Sequence, residues 1–211
     1  MEANLVSLCK KCKALGYFGS YVRREDYIEN VSDINIFAIT DDKSLLLELG
    51  SYNGISPIVV SEEKFKEICK NGDVICYYIL HDSRLICGEL PKVEFSISNN
   101  TCERLKLSSS SFIKLSYEAF KRNDEVSTLE NAYRALRSLI QYISCNSLRK
   151  IPVSNSEIKD TCMKLNLNFC KEFDNIIFMR NMRNPLTVWS LNRIYNIINS
   201  QIKLDFSSTF A

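Results

Sequence analysis

Histidine is nearly absent from this 211-residue chain. His81 is the only one, which excludes any site that draws two or more histidines from one copy. A single histidine at the end of an apolar segment reads as a structural residue. Long hydrophobic runs are missing as well. The longest, Val74 to Leu80, falls far short of the ~18 residues needed to cross a bilayer. No apolar segment of secretory length follows the polar start Met1-Glu2-Ala3-Asn4. The expected setting is therefore the cytoplasm, with no membrane partner. No internal repeat is visible. At 45% hydrophobic and 25% charged residues, the composition is that of a globular protein, and the length suits one large domain or two small ones.

Cysteine, by contrast, is abundant. Nine are scattered at positions 9, 12, 69, 76, 87, 102, 145, 162 and 170. A secreted disulfide framework is usually shorter and denser. Cys9-Lys10-Lys11-Cys12 is a lone CxxC with no second pair at zinc-ribbon spacing. It reads as two thiols on one helix; the alternative, a structural disulfide, belongs to hyperthermophile cytosols. Charge is also uneven. Residues 1–107 hold 13 Lys and Arg against 16 Asp and Glu, a balance of −3, whereas residues 108–211 hold 14 against 9, a balance of +5. The split suggests two domains, 1–107 and 108–211, the second suited to an anionic partner.

Hydrophobic periodicity supplies the elements. Leu5, Leu8, Cys9, Cys12 and Leu15 recur at helical spacing over 4–15, with Gly16 as the stop. Residues 23–32 read as a charged loop. Ile34 to Thr40 alternates and is β-branched, a strand; Ser44 to Leu49 is a short helix and Ser56 to Val60 a second strand. Ser61 caps a helix that runs to Lys70 and closes at Asn71-Gly72. Asp73 to Leu80 suggests a buried helical turn or two, and Arg84 to Glu89 an edge strand before Pro91. Ser108 to Ser111 reads as a linker or helix cap. Beyond it every segment is helical, with faces at Phe112, Leu115, Ala119 and Phe120, then at Ala132, Leu136, Leu139, Ile140 and Ile143. Ile151-Pro152 breaks the chain, and Ser154-x-x-Glu157 is a capping-box pattern. Two further helices carry Phe169, Phe173, Ile176 and Ile177, and, after Pro185, Val188 through Ile202. Short connections between such helices predict an antiparallel bundle. The expected class is α+β: a small sheet with flanking helices, then an all-α antiparallel helical bundle.

The chemistry-bearing stretch is Phe18-Gly19-Ser20-Tyr21, a polar loop, then Ser32-Asp33-Ile34-Asn35-Ile36. A Gly-Ser turn can lift backbone N–H groups and a hydroxyl toward a phosphate chain. Asp33 and Asn35, two apart on a strand, share one face. Carboxylates so placed can grip divalent ions that align a nucleoside triphosphate for in-line attack. Gly19-Ser20, twelve intervening residues, then Asp33 resembles the minimal nucleotidyltransferase family of the DNA polymerase beta superfamily, whose signature is Gly-Ser followed by Asp-x-Asp or Asp-x-Glu. The resemblance covers about 1–90. It implies a nucleotidyltransferase-like sheet, Gly19 and Ser20 as nucleotide-binding residues, Asp33 and Asn35 in the catalytic positions, and Mg2+ held by Asp33. Two positions depart from the pattern. Asn35 replaces the second carboxylate, and the strand that should carry a third acid, Ser56 to Val60, has none. Asp41 and Asp42 follow the first strand and read as a solvated turn.

In the second half, Met179-Arg180-Asn181-Met182-Arg183-Asn184 resembles the HEPN family, which commonly accompanies minimal nucleotidyltransferases. Its ribonuclease motif is Arg, a polar residue, several more residues, then His. Arg180 and Asn181 match the opening, and Pro185 or Leu186 stands at the His position. The resemblance covers about 108–205 and makes Arg180 and Arg183 a basic pocket for nucleotide phosphate or RNA backbone; their plainer role is as cations at a helix C-terminus. Three functions follow as expectations. The chain is a weakened nucleotidyltransferase acting as a nucleotide-binding or regulatory module, an active enzyme transferring a nucleotide monophosphate to protein or RNA, or a toxin–antitoxin component that docks a partner protein.

Overall fold

Strand alternation builds the first half of the molecule. The computed structural model describes residues 2–29 and 31–204; residue 30 of the charged loop and residues 205–211 of the second half lie outside the described residues. Four strands, β1 (Ala14–Phe18), β2 (Ile34–Ile39), β3 (Ile55–Val60) and β4 (Ser83–Gly88), form one mixed sheet in the order β3-β2-β1-β4. β1 runs antiparallel to β2 and β4, and β2 runs parallel to β3. Along β2, Ile34, Ile36 and Ala38 face one apolar cluster with Leu5, Leu8, Leu45 and Leu49. Those leucines come from α1 (Glu2–Leu8) and α2 (Ser44–Gly50). Phe37 and Ile39 face the opposite cluster with Phe65, Cys69, Cys76 and Ile79, from α3 (Glu62–Lys70) and α4 (Val74–His81). Period-2 alternation thus feeds two cores, one on each face of the sheet.

The second half is helical: α5 (Asn99–Lys121), α6 (Glu125–Leu148), α7 (Asn155–Lys164), α8 (Cys170–Met182) and α9 (Val188–Ile202). Its core joins Leu136, Leu139 and Ile140 of α6 to Phe173 and Ile176 of α8 and to Leu191, Ile194 and Ile198 of α9. The chain divides into two compact units, with the boundary between residues 101 and 102, within the first turn of α5. The fold class is α+β. Among the described residues no helix is long and apolar enough to cross a membrane.

Most expected elements are present, with caps where the sequence places them. The Ser61 hydroxyl accepts from Lys64 N–H, and Ser154 with Glu157 forms the full reciprocal box; Asp73, not expected as a cap, also accepts from Ile75 N–H. Three expectations fail. The helix expected over 4–15 ends at Leu8; a 3-10 turn follows at Cys9–Lys11, and Leu15 and Gly16 belong to β1. The sheet wins this segment because Lys13 N–H donates to Ile39 C=O at 2.8 Å and all five β1 residues are buried. Ser108 to Ser111 is no linker but lies inside α5. The hydroxyl of buried Ser109 donates to Ala135 C=O at 2.9 Å, and Ser116 likewise donates to Thr128 C=O at 2.7 Å, so small polar residues let α5 lie against α6. The buried face of α5 is accordingly offset, and Leu115 is exposed.

Candidate functional site

The Gly-Ser segment closes β1 as a 3-10 turn at Gly19–Tyr21. Gly19 has φ +75°, which an L side chain rarely adopts, and a Cβ there would meet the Asn35 Nδ2 at 3.2 Å. Because Phe18 pairs with Asn35, the turn lands beside the start of β2. Gly19, Ser20, Asn35 and, two residues earlier, Asp33 therefore gather at one end of the sheet. Asp33 is exposed, while Ser20 and Asn35 are half-buried. In the parallel register Ser56 stands beside Asn35, so the adjacent position on β3 offers a hydroxyl and no acid. The turn's own hydrogen bonds run from Val22 N–H to Gly19 C=O and from Arg23 N–H to Ser20 C=O, while Gly19 N–H donates to Asp82 C=O.

Two carboxylates outside the Gly-Ser motif lie at the same end. Asp26 is 2% exposed and Asp82 6%. The Arg23 guanidinium bridges them, through Nε to Asp26 Oδ2 at 2.7 Å and through Nη1 to Asp82 Oδ2. One cation thus holds two buried anions directly behind the Gly-Ser turn. The Arg23–Asp26 half follows an i,i+3 spacing visible in the sequence; nothing local points to Asp82, 59 residues downstream. Tyr21 packs edge-on against Tyr27, with ring centroids 5.2 Å apart. Burial, followed by Tyr21, Glu29 and Asp33, pushes the Tyr27 phenol above its usual pKa.

These donors do not fit a pair of catalytic Mg2+ ions. Such ions need several anionic oxygens converging on them. Asp26 and Asp82 already share a guanidinium, Asn35 brings no charge, and Asp33 alone is the remaining acid of the motif. Among the described residues no three or more His, Cys, Asp or Glu side chains cluster as metal ligands. Asp41 and Asp42 lie past the opposite end of β2, and Asp42 Oδ1 accepts from both the N–H and the hydroxyl of Ser44, bonds that hold its carboxyl below the usual range.

The two arginines of the second half are placed differently from each other. Arg180 is 4% exposed; its Nε donates to Glu130 Oε1 at 2.5 Å and its guanidinium lies 4.6 Å from the Tyr133 ring centroid. Tyr133 stacks on Phe173, and its hydroxyl donates to Asn155 Oδ1 at 2.7 Å. Arg180 therefore belongs to a buried ion pair of the helical core. Arg183 is exposed at the left-handed residue that ends α8. The structure does not bring the two together as one basic pocket. No protein-family model matches the chain, and no curated protein is significantly similar to it.

Proposed function

We propose that the N-terminal unit is a weakened domain of the minimal nucleotidyltransferase type that binds a nucleoside triphosphate without transferring it. The whole chain then acts as a nucleotide-binding or regulatory module, its second half a HEPN-like bundle. The observation that carries this reading is the Arg23 bridge. It engages two carboxylates beside a Gly-Ser turn packed on Asn35, so neither is free to join Asp33 around a metal pair. Asp33 remains an exposed carboxylate near the turn. Without a metal between them, Asp33 and a triphosphate repel each other. Mg2+ enters this reading only as the counter-ion that the nucleotide brings.

Calorimetric titration with ATP tests it. The unmodified chain binds ATP, and in EDTA the Asp33→Asn variant binds it up to about fivefold more tightly, since a solvated charge pair at contact is worth about 1 kcal/mol. With Mg2+ present the variant and the parent differ little, and ATP labelled at the α-phosphate leaves no label on protein or RNA. Transfer of label, or a loss of MgATP affinity beyond tenfold in Asp33→Asn, would make Asp33 a metal ligand of an active transferase. Absence of any ATP binding, with a partner chain co-purifying, would favour the toxin–antitoxin reading instead.

A further inference from the structure

The helical unit carries a concave site that the nucleotide-binding reading leaves unused. An open hollow of about 770 Å3 is lined by Tyr117 of α5, Asn168 of the α7–α8 connection, and α9. The α9 contribution follows a helical stripe: Trp189, Asn192, Arg193, Asn196 and Ser200 occupy i, i+3, i+4, i+7 and i+11. The opposite face of the same helix, Leu191, Ile194, Ile198 and Ile202, is buried in the core. Burial therefore fixes the outward stripe in place. Trp189, the chain's one tryptophan, is 83% exposed, an unusual cost for so large a ring unless something covers it.

The polar groups in the hollow are oriented. The Tyr117 hydroxyl donates to Asn192 Oδ1 at 2.6 Å, which fixes the Asn192 amide with its oxygen toward Tyr117. Tyr117 also meets the Tyr195 ring edge-on at 5.9 Å. Burial, then Tyr195, raises the Tyr117 pKa, so the hydroxyl keeps its proton for that bond across the neutral range. Arg193 pairs with Glu172 through Nη2 at 2.7 Å, yet its side chain remains 68% exposed, with further donors facing solvent. No carboxylate is among the lining residues.

From this geometry we infer that the α9 hollow binds an unstacked nucleobase, with Trp189 as the stacking platform, the asparagine amides on the base edge and Arg193 on the adjoining phosphate. Aromatic faces accept any base, and amide groups match the mixed donor–acceptor edges of bases. Sugar-binding clefts lean on carboxylates to accept hydroxyl protons, and the carboxylate beside this hollow, Glu172, is engaged by Arg193. An anionic peptide would engage Arg193 and the amides, but its backbone offers no broad planar face for Trp189 in the way a base does. The excess of 14 Lys and Arg over 9 acids beyond residue 107 favours a ligand that carries phosphate. The stripe from Trp189 to Ser200 is about 16 Å long, more than one nucleotide needs, which favours a single strand over a free mononucleotide.

Trp189 is its own reporter. Titrating the full chain with a single-stranded RNA octamer quenches tryptophan emission saturably, AMP does so at least tenfold more weakly, and the duplex form of the octamer fails to. Anisotropy of a labelled octamer shows at least a tenfold loss of affinity in both Trp189→Ala and Asn196→Ala, with unchanged far-ultraviolet dichroism. Equal affinity for AMP and octamer would assign the hollow to free nucleotides and sustain the base-binding inference while removing the strand. No quenching by either ligand, or undiminished octamer affinity in Trp189→Ala, would overturn it. Because the N-terminal reading is scored by the response of ATP binding to Asp33→Asn and this one by the response of octamer binding to Trp189→Ala, failure here and failure of that reading give separate signals.

Discussion

Arg23 decides most at the scale of single residues. A buried ion pair is a modest contributor while both partners are present, because desolvation offsets much of the attraction; removing one partner is another matter. Here one cation bonds two carboxylates, each less than a tenth exposed. Arg23→Met should lower the unfolding free energy of the chain by about 3–5 kcal/mol, measured by urea denaturation, with the double change Asp26→Asn, Asp82→Asn on that background restoring a large part. If Arg23→Met shifted the midpoint no more than the exposed Lys64→Met, the bridge would be a surface pair of little consequence. Gly19 and Asn35 were legible as candidate residues because the Gly-Ser spacing and the strand period pointed to them, while their contact comes from the β1–β2 register. The Arg23 bridge was not, since half of it depends on a residue brought back by the α4–β4 connection. Arg180 illustrates the reverse limit. Its sequence context marked a helix C-terminus and a cation, but a helical period cannot say which of two neighbouring arginines turns inward until the facing helix supplies Glu130.

Among the elements, β1 is the one the sequence hid. Its five residues all face cores, so they show no alternation, and Leu15 also completes a helical pattern begun at Leu5. Gly16, which reads in the sequence as a helix stop, is a packing residue. A Cβ there would lie 2.8 Å from the Phe37 ring and from Arg84 C=O, so the strand passes only because position 16 has no side chain. Gly16→Ala should cost about 1–3 kcal/mol by overpacking. Gly50→Ala, where a Cβ meets nothing within 4 Å at the end of α2, should be neutral or add up to about 1 kcal/mol. Thermal midpoints of the two variants, compared with the parent, should therefore move in opposite directions or at least diverge clearly. Elements that advertise themselves by caps were readable to within a residue or two, as at Ser61 and Ser154. The α5 serine run misled because the hydroxyl of buried Ser109 is satisfied by a carbonyl of α6, a long-range partner that composition cannot reveal.

At the level of the whole molecule, the cysteines acquire an order that their spacing concealed. Eight of the nine pair as Cys9–Cys87, Cys69–Cys76, Cys102–Cys145 and Cys162–Cys170, and each bond closes within one unit. The CxxC does not pair with itself; Cys12 remains a half-buried thiol whose pKa burial pushes up. Such a set belongs to an oxidising environment or to the cytosol of a hyperthermophile. Loop-closure entropy assigns about 4 kcal/mol to each of the two bonds spanning 78 and 43 residues, and about 2 kcal/mol to each of the two short ones. Alkylation in denaturant without reductant should add one adduct by intact mass, and nine after reduction. Nine adducts in both cases would mean that the pairs are proximities and not bonds. The paired Cys9→Ala, Cys87→Ala variant should lose more stability than Cys69→Ala, Cys76→Ala, in the order of their loop lengths.

The Cys9–Cys87 bond has a mechanical corollary. It joins the chain just ahead of β1 to the next-to-last residue of β4, so nearly the entire sheet lies inside a covalent ring. Tension applied to the two ends of the N-terminal unit would be carried by sulfur and would bypass the interstrand ladder. The strands would stay folded under load while only the segments outside the ring stretched.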